Sequence, residues 1–298
     1  MTANSADKVL HFCSICTKSH MYKSLALAQS LAKYKGILHL LVIDDYEETE
    51  LTLAENIKLY KLSELKTETA KLIQSKYKGD KLRWALKPSF LKQLLQTNKT
   101  DTVIYVDNDI YFFNDPSFLF EKLNSSSMLL SPHFFKADPQ EEQNWLEVNF
   151  RLGLYNAGFI GASKQAIDAL EWWEKCCAYR MRRSYYRGLF DDQKYLDLLP
   201  ILFEKVEVLK HRGCNLAGWN DNVKLSDIEV IFIHFNAFTI NKFKSLKNSY
   251  NSYLRDYHEV IKKYNPDYKP KSSRLSFFNL KNYFIYLIWR IEKLNSSH

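Results

Sequence analysis

The chain of 298 residues is 46% hydrophobic and 26% charged, which excludes a disordered or collagen-like protein and fits one large α/β domain with an appendage, or two ordinary domains. Its formal charge of +8 is unevenly placed: residues 1–240 hold 30 Lys/Arg against 30 Asp/Glu, and residues 241–298 hold 12 against 4. A neutral body with a basic tail points to an anionic partner for the tail, with membrane lipid and nucleic acid as the two candidates.

The first residues lack a basic stretch followed by an apolar one, so no secretion signal is expected and the protein is read as cytoplasmic. Residues 8–16 and 36–43 are apolar and partly β-branched, and between them Leu25, Ala28, Leu31 and Ala32 recur at helical spacing, giving a β-α-β opening. Cys13 and Cys16 spell C-x-x-C, but no second pair at zinc spacing follows, and positions three apart on a strand face opposite ways. With five cysteines in all, a disulfide framework is not expected, and these two are read as core thiols.

An acidic loop, residues 44–50, precedes stretches read as amphipathic helix through residue 77, and residues 84–96 read as a helix entered at Pro88. A short apolar strand, residues 102–107, ends in Asp107-Asn108-Asp109, and a second apolar run, Ile110 to Phe113, follows at once. Pro116 opens a helix. Strands are expected at 126–131, 155–162, 205–209 and 228–233, with helices after Ser163, an N-cap, and from residue 190. Alternation of this kind implies a mainly parallel sheet covered on both faces, with ligands at the carboxyl ends of the strands, where Asp107 and Asp109 lie.

Two aspartates one residue apart, just past a strand, direct oxygen ligands into one small volume. That suits Mg²⁺ or Mn²⁺, which bind few protein carboxylates and complete their shell with phosphates and water. Lys87-Pro88, VIYVDNDIYFFNDP (residues 103–116), YNAGF (155–159), DDQ (191–193) and FIHF (232–235) occur in that order. Together they resemble a GT-A glycosyltransferase, and the retaining members of glycosyltransferase family 8 and their bacterial relatives in particular.

The resemblance implies a GT-A (Rossmann-like) α/β domain over residues 1–245, with 246–298 as a basic, aromatic extension. It implies a divalent ion, Mn²⁺ or Mg²⁺, on Asp107, Asp109 and His234, and a nucleotide-sugar donor, UDP favoured. Thr17, Tyr22, Asp44, Lys87, Asn108 and Asn156 would bind that donor together with Asp107. Asp192 and Gln193 match the acid-glutamine pair beneath the transferred sugar, with Asp191 as the competing aspartate, and the DDQ run suggests retention. The glycine, lysine, proline and tryptophan block that follows the histidine in family 8 is replaced here by HFNAF. For the acceptor, a glycan or a lipid-linked sugar, Asn156, Trp219 and Arg183 are the candidates. Arg183 stands in a cluster with Arg180, Arg182 and Arg187 that suits an anionic group.

In the tail, Phe277, Leu280, Phe284, Ile288 and Ile291 share one helical face and Asn282, Arg290 and Lys293 the other, so residues 275–294 read as an amphipathic helix. Lys281 and Arg290 argue against a membrane crossing, and the pattern suits the plane of an anionic membrane on its inner, cytoplasmic side. The competing use is docking on the catalytic domain or on a second copy in a homodimer. Two further alternatives are weaker. A nucleic-acid-binding protein lacks its recognition signatures here, and a sugar nucleotidyltransferase would place a glycine-rich loop after the first strand, where residues 13–24 have no glycine.

Overall fold

The computed structural model describes residues 9–47, 53–97, 100–140, 143–220, 223–245 and 250–269. The expected amphipathic helix at 275–294 lies outside them. The strands are β1 (Leu10–Cys16), β2 (Gly36–Val42), β3 (Ile57–Lys61), β4 (Thr102–Val106), β5 (Ile110–Phe112), β6 (Met128–Pro132), β7 (Tyr155–Ser163), β8 (Arg183–Ser184), β9 (Leu189–Phe190), β10 (Val206–Val208) and β11 (Phe232–His234). The helices are α1 (Met21–Ala32), α2 (Glu68–Lys76), α3 (Gly79–Ala85), α4 (Lys87–Thr97), α5 (Ser117–Leu123), α6 (Gln143–Leu152), α7 (Ile167–Tyr179), α8 (Leu199–Leu202), α9 (Ala237–Ser245) and α10 (Tyr250–Tyr264).

Seven strands form one sheet in the order β10-β6-β7-β4-β1-β2-β3. All run parallel except β7, which is antiparallel to both β4 and β6. The sheet is therefore mainly parallel, as the alternation of elements predicts. Its central strands are buried on both faces: α2, α4 and α7 cover one, and α1 and α5 lie in the apolar cluster on the other. Cys13 belongs to the first cluster and Cys16 to the second, so the C-x-x-C pair straddles the sheet. Both thiols are free, and burial pushes Cys16 up to about 12, which makes it inert rather than redox-active.

Two expectations need correction. Residues 57–61 form β3 instead of helix: as an edge strand beside β2 they turn Ile57 and Leu59 into one core cluster and Tyr60 into the other. The strand expected at 228–233 shortens to β11, which leaves the main sheet and pairs with β5 in a separate antiparallel ribbon. The arginine-rich segment before residue 190 is a small hairpin, β8 with β9, closed by Gly188 at φ +61°. Ser163 does act as an N-cap, accepting from the amide of Gln165, although the first turn there is a 3₁₀ helix.

The start of the basic extension is folded onto the body. Tyr250, Leu254, Tyr257, Val260 and Ile261 of α10 share a core with Ala26, Ile233, Phe235 and Phe243, and the rings of Phe235 and Tyr257 stack at 4.1 Å. Among the described residues, no helix is long and apolar enough to cross a membrane.

Candidate active site

The two aspartates sit in a tight turn between β4 and β5, closed by a hydrogen bond from the Ile110 amide to the Asp107 carbonyl. Because β7 runs against β4 with Val106 opposite Phe159, its opening residues Asn156 to Gly158 lie beside this turn, and the Asp107 amide donates to the Gly158 carbonyl at 2.9 Å. The ribbon brings in the third group. His234 pairs opposite Ile110, and the next amide, that of Phe235, donates to the Asp109 carbonyl at 2.7 Å. His234 Nε2 is thereby held 3.1 Å from Asp109 Oδ1 and 3.8 Å from Asp107 Oδ2.

Gly158 has no room for a side chain. A Cβ there would stand 2.6 Å from His234 Cε1, 2.6 Å from Asn156 Oδ1 and 3.0 Å from Asp107 Oδ2. The three ligating groups of Asp107, Asp109 and His234 lie within 4.8 Å of one another. Two carboxylates and an imidazole are a donor set that Mn²⁺ accepts, and it is His234 Nε2 that faces both carboxylates. These residues fit a divalent ion. Burial raises the Asp109 carboxyl, but Lys23 and His234 outweigh it and hold Asp109 well below the usual carboxylate range. Burial opposes charge on His234, yet Asp109 and Asp107 together raise its pKa above the ordinary value.

Adjoining this cluster is a second, drier one. The Lys87 ammonium, at the start of α4, donates to the Ala157 carbonyl at 2.9 Å and forms ion pairs with Asp192 at 3.1 Å and Asp107 at 3.4 Å. Its side chain is 3% exposed. Burial pushes the Asp192 carboxyl up to about 6, with Lys87 restraining the rise. The Tyr105 hydroxyl donates to Asp107 at 2.8 Å, which orients that carboxylate between the two clusters. Gln193 is fixed on three sides: its Oε1 accepts from Asn156 Nδ2 and the Ala157 amide, both at 3.2 Å, and its Nε2 donates to the Leu152 carbonyl.

Asp107, Asn108, Asp109, Lys87, Asn156, Asp191, Asp192, Gln193, Arg183 and His234 thus line one cavity of about 300 Å³. The remaining sequence candidates stand off its wall. Thr17 bonds His20 Nδ1 at 2.8 Å, Asp44 accepts from the Lys18 amide at 2.6 Å, and Tyr22 packs against Tyr268. Trp219 is 9% exposed, edge-on to His133 and Phe135, with its ring 6.2 Å from that of His234. It lies behind the histidine, where it supports the ring instead of offering a face to the cavity.

Two cations on the cavity wall escape the sequence reading. Lys23 reaches Asp109 from α1 at 3.4 Å. Arg83, on α3, spends one nitrogen on Asp80 at 2.6 Å and leaves Nε buried without a partner. A signal for Arg83 existed in its spacing of four before Lys87, which favours a shared face. None existed for Lys23, which is one of many lysines.

A model of the nucleotide-diphospho-sugar transferase family matches residues 38–237. The uncharacterized protein YfnF of Bacillus subtilis (strain 168) is 27% identical over 270 residues, covering 84% of this chain and 89% of its own. Among solved structures, the galactosyltransferase LgtC, determined in complex with donor and acceptor sugar analogs, superposes with a TM-score of 0.54 at 12% identity, covering 85% of this chain and 96% of its own. The glycosyltransferase GlyE of Streptococcus pneumoniae TIGR4 gives a TM-score of 0.52 at 13% identity, over 90% and 66% of the two chains. The GT-A fold is thereby shared.

Proposed function

The chain belongs to the nucleotide-diphospho-sugar transferase family and is a glycosyltransferase, and from that premise we propose a metal-dependent, retaining transfer from a UDP-sugar to a glycan or lipid-linked acceptor. The observation that carries the reading is the convergence of two adjoining clusters on one cavity. Asp107, Asp109 and His234 form one, Lys87, Asp192 and Gln193 the other, and the Lys87–Asp107 ion pair joins them.

In this reading Asp107, Asp109 and His234 hold Mn²⁺ or Mg²⁺, which when bound supplies Lewis-acid stabilisation for the charge of the departing diphosphate. Lys87 adds a fixed positive charge at the same place, and being buried it acts with little solvent screening. Lys23 and Arg83 extend that positive wall toward the phosphates, where HFNAF lacks the lysine of the family 8 block. Asn156 and the Ala157–Gly158 backbone line the space for the transferred sugar.

Gln193, locked by its three hydrogen bonds, presents its amide to the sugar from the face opposite the leaving group. Asp192, paired with Lys87, is the carboxylate available to stabilise positive charge developing at the anomeric carbon, or to attack it. Retention follows if the acceptor hydroxyl enters on the leaving-group side, and proton NMR of the first product would read it directly. An inverted anomer removes this part of the reading.

The decisive experiment screens UDP-, GDP- and dTDP-sugars for hydrolysis and transfer with Mn²⁺, Mg²⁺ and chelator, using Asp109→Asn as the control. Activity that survives chelation and this substitution would overturn metal dependence. The protein is placed in this reading at the cytoplasmic membrane face through residues 275–294. Flotation with anionic liposomes, compared with a chain truncated at residue 270, tests that placement.

A further inference from the structure

Beside the donor cavity lies a second one, of about 590 Å³, lined by Lys78, Asp80, Lys81, Trp84, Arg182, Arg183 and Asp191. The two meet at Trp84, Arg183 and Asp191, which line both. Its cations come from two elements about a hundred residues apart, the start of α3 and the β8–β9 hairpin. Asp80 is paired with Arg83 and Asp191 with Arg183. Lys78, Lys81 and Arg182 have no acidic partner among the described residues, so the cavity carries uncompensated positive charge. Ordinary solvated helix ends do not converge on one cavity from two elements.

Its inner wall is built with care. The Arg183 guanidinium lies 5.3 Å over the Trp84 ring and 4.9 Å over Phe190, and its Nε donates to Asp191 Oδ2 at 2.5 Å. The side chain is nonetheless 57% exposed, which leaves donors of the guanidinium facing outward. Asp191 is held at φ +46°, a left-handed conformation that is strained for a residue with a Cβ and persists where its surroundings enforce it. It is 3% exposed, and its second oxygen, Oδ1, is buried with no hydrogen-bond partner. An unpartnered carboxylate oxygen at the junction of two cavities is an acceptor waiting for a donor.

From this arrangement we infer that the second cavity is the acceptor subsite and that the acceptor is an acidic glycan, its anionic substituent held by Lys78, Lys81, Arg182 and Arg183. The inference rests on the sugar-transfer reading above and names the substrate class for the same site. A hydroxyl of the acceptor donates to Asp191 Oδ1, and the negatively charged group lies outward among the cations. Carboxylate and phosphate share this chemistry, and the experiment separates them.

The full-length protein with UDP and Mn²⁺ is titrated with tri-galacturonate, with maltotriose 6-phosphate and with neutral maltotriose, and binding is followed by calorimetry. One or both charged trimers are expected to bind at least about tenfold tighter than maltotriose, and the advantage should shrink as salt screens it. In the Lys81→Ala, Arg182→Ala double variant the advantage should fall to within about twofold while UDP affinity stays unchanged, since both side chains are exposed and neither touches the donor cavity. Equal binding of charged and neutral trimers, an unchanged preference in the double variant, or equally tight binding of a thymidine trinucleotide would each overturn the inference alone. Failure of the parent protein to bind UDP or any other nucleotide would overturn the donor reading, and this inference with it.

Discussion

Lys87 and Asp192 form a buried ion pair at 3.1 Å, and the same ammonium lies 3.4 Å from Asp107, so one cation ties the β4 turn to the segment after the β8–β9 hairpin. Removing it leaves two carboxylates facing each other in a dry site. Lys87→Met should destabilise the protein by about 3–5 kcal/mol, the usual consequence of orphaning a buried charge. It should also lower kcat/KM by at least about a hundredfold, because a preorganised positive charge next to the leaving group is lost. Urea unfolding and steady-state kinetics measure the two effects. A loss of stability alone would make Lys87 a structural residue.

Gly158 is the point where the metal-ligand geometry depends on the absence of a methyl group. In Gly158→Ala the new Cβ would stand 2.6 Å from both His234 Cε1 and Asn156 Oδ1, so the imidazole or the amide must move. The rest of β7 is unaffected, since its φ at this position is not left-handed. Binding of Mn²⁺, followed by electron paramagnetic resonance, should weaken at least about tenfold, in line with the sensitivity of metal sites to ligand orientation. Stability should fall by about 1–3 kcal/mol, the usual cost of overpacking a buried site. Unaltered Mn²⁺ affinity in both Gly158→Ala and His234→Ala would mean that His234 is not a ligand.

Lys23 and Arg83 predict a split between nucleotide and nucleoside. If they hold the diphosphate, Lys23→Ala and Arg83→Ala should each weaken UDP by about 1.5–3 kcal/mol, the range for hydrogen bonds to charged groups, and leave uridine binding unchanged. Calorimetry with both ligands decides. Equal losses for uridine and UDP would place the effect in the fold instead.

Much of this was legible in the sequence, and the reasons are physical. The strand before Asp107, the β-α-β opening and the DDQ run are local signals, because an apolar run or a helical period is written in consecutive residues. The cluster of Asp107, Asp109 and His234 spans more than a hundred residues and came from motif order. What failed was whatever depended on direction or on packing. Ile57 to Lys61 has too few residues to announce a strand beside a longer helical pattern, and nothing local tells β11 to leave the main sheet for β5. Trp219 reads as a platform because tryptophan serves so often as one, yet burial against Phe135 and His133 turns it inward. Lys23 was invisible because only the fold points it at Asp109, and Arg83 left no local trace beyond its spacing before Lys87.

His39 gives a pH prediction away from the active site. It lies on β2, 1% exposed, bonded to His11 Nδ1 at 3.0 Å and to the Tyr60 hydroxyl at 2.9 Å, and burial lowers its pKa to about 4, with His11 and Lys58 adding to the shift. In the unfolded chain the same imidazole takes up a proton near pH 6.5. Between these values the unfolded state binds more protons, so the contribution of His39 to stability is complete above about pH 6.5 and is lost as the pH falls toward 4. Asp192 and His234 shift the other way, but they cancel when the parent and His39→Gln are compared across the same series. Urea midpoints from pH 7 to 4.5 should therefore fall more steeply for the parent than for His39→Gln, with a difference on the order of 2–3 kcal/mol over the window. Parallel curves would mean that His39 takes up its proton as readily in the folded protein as in the unfolded chain, and the bond between its ring and that of His11 would then have to accommodate the charged imidazole.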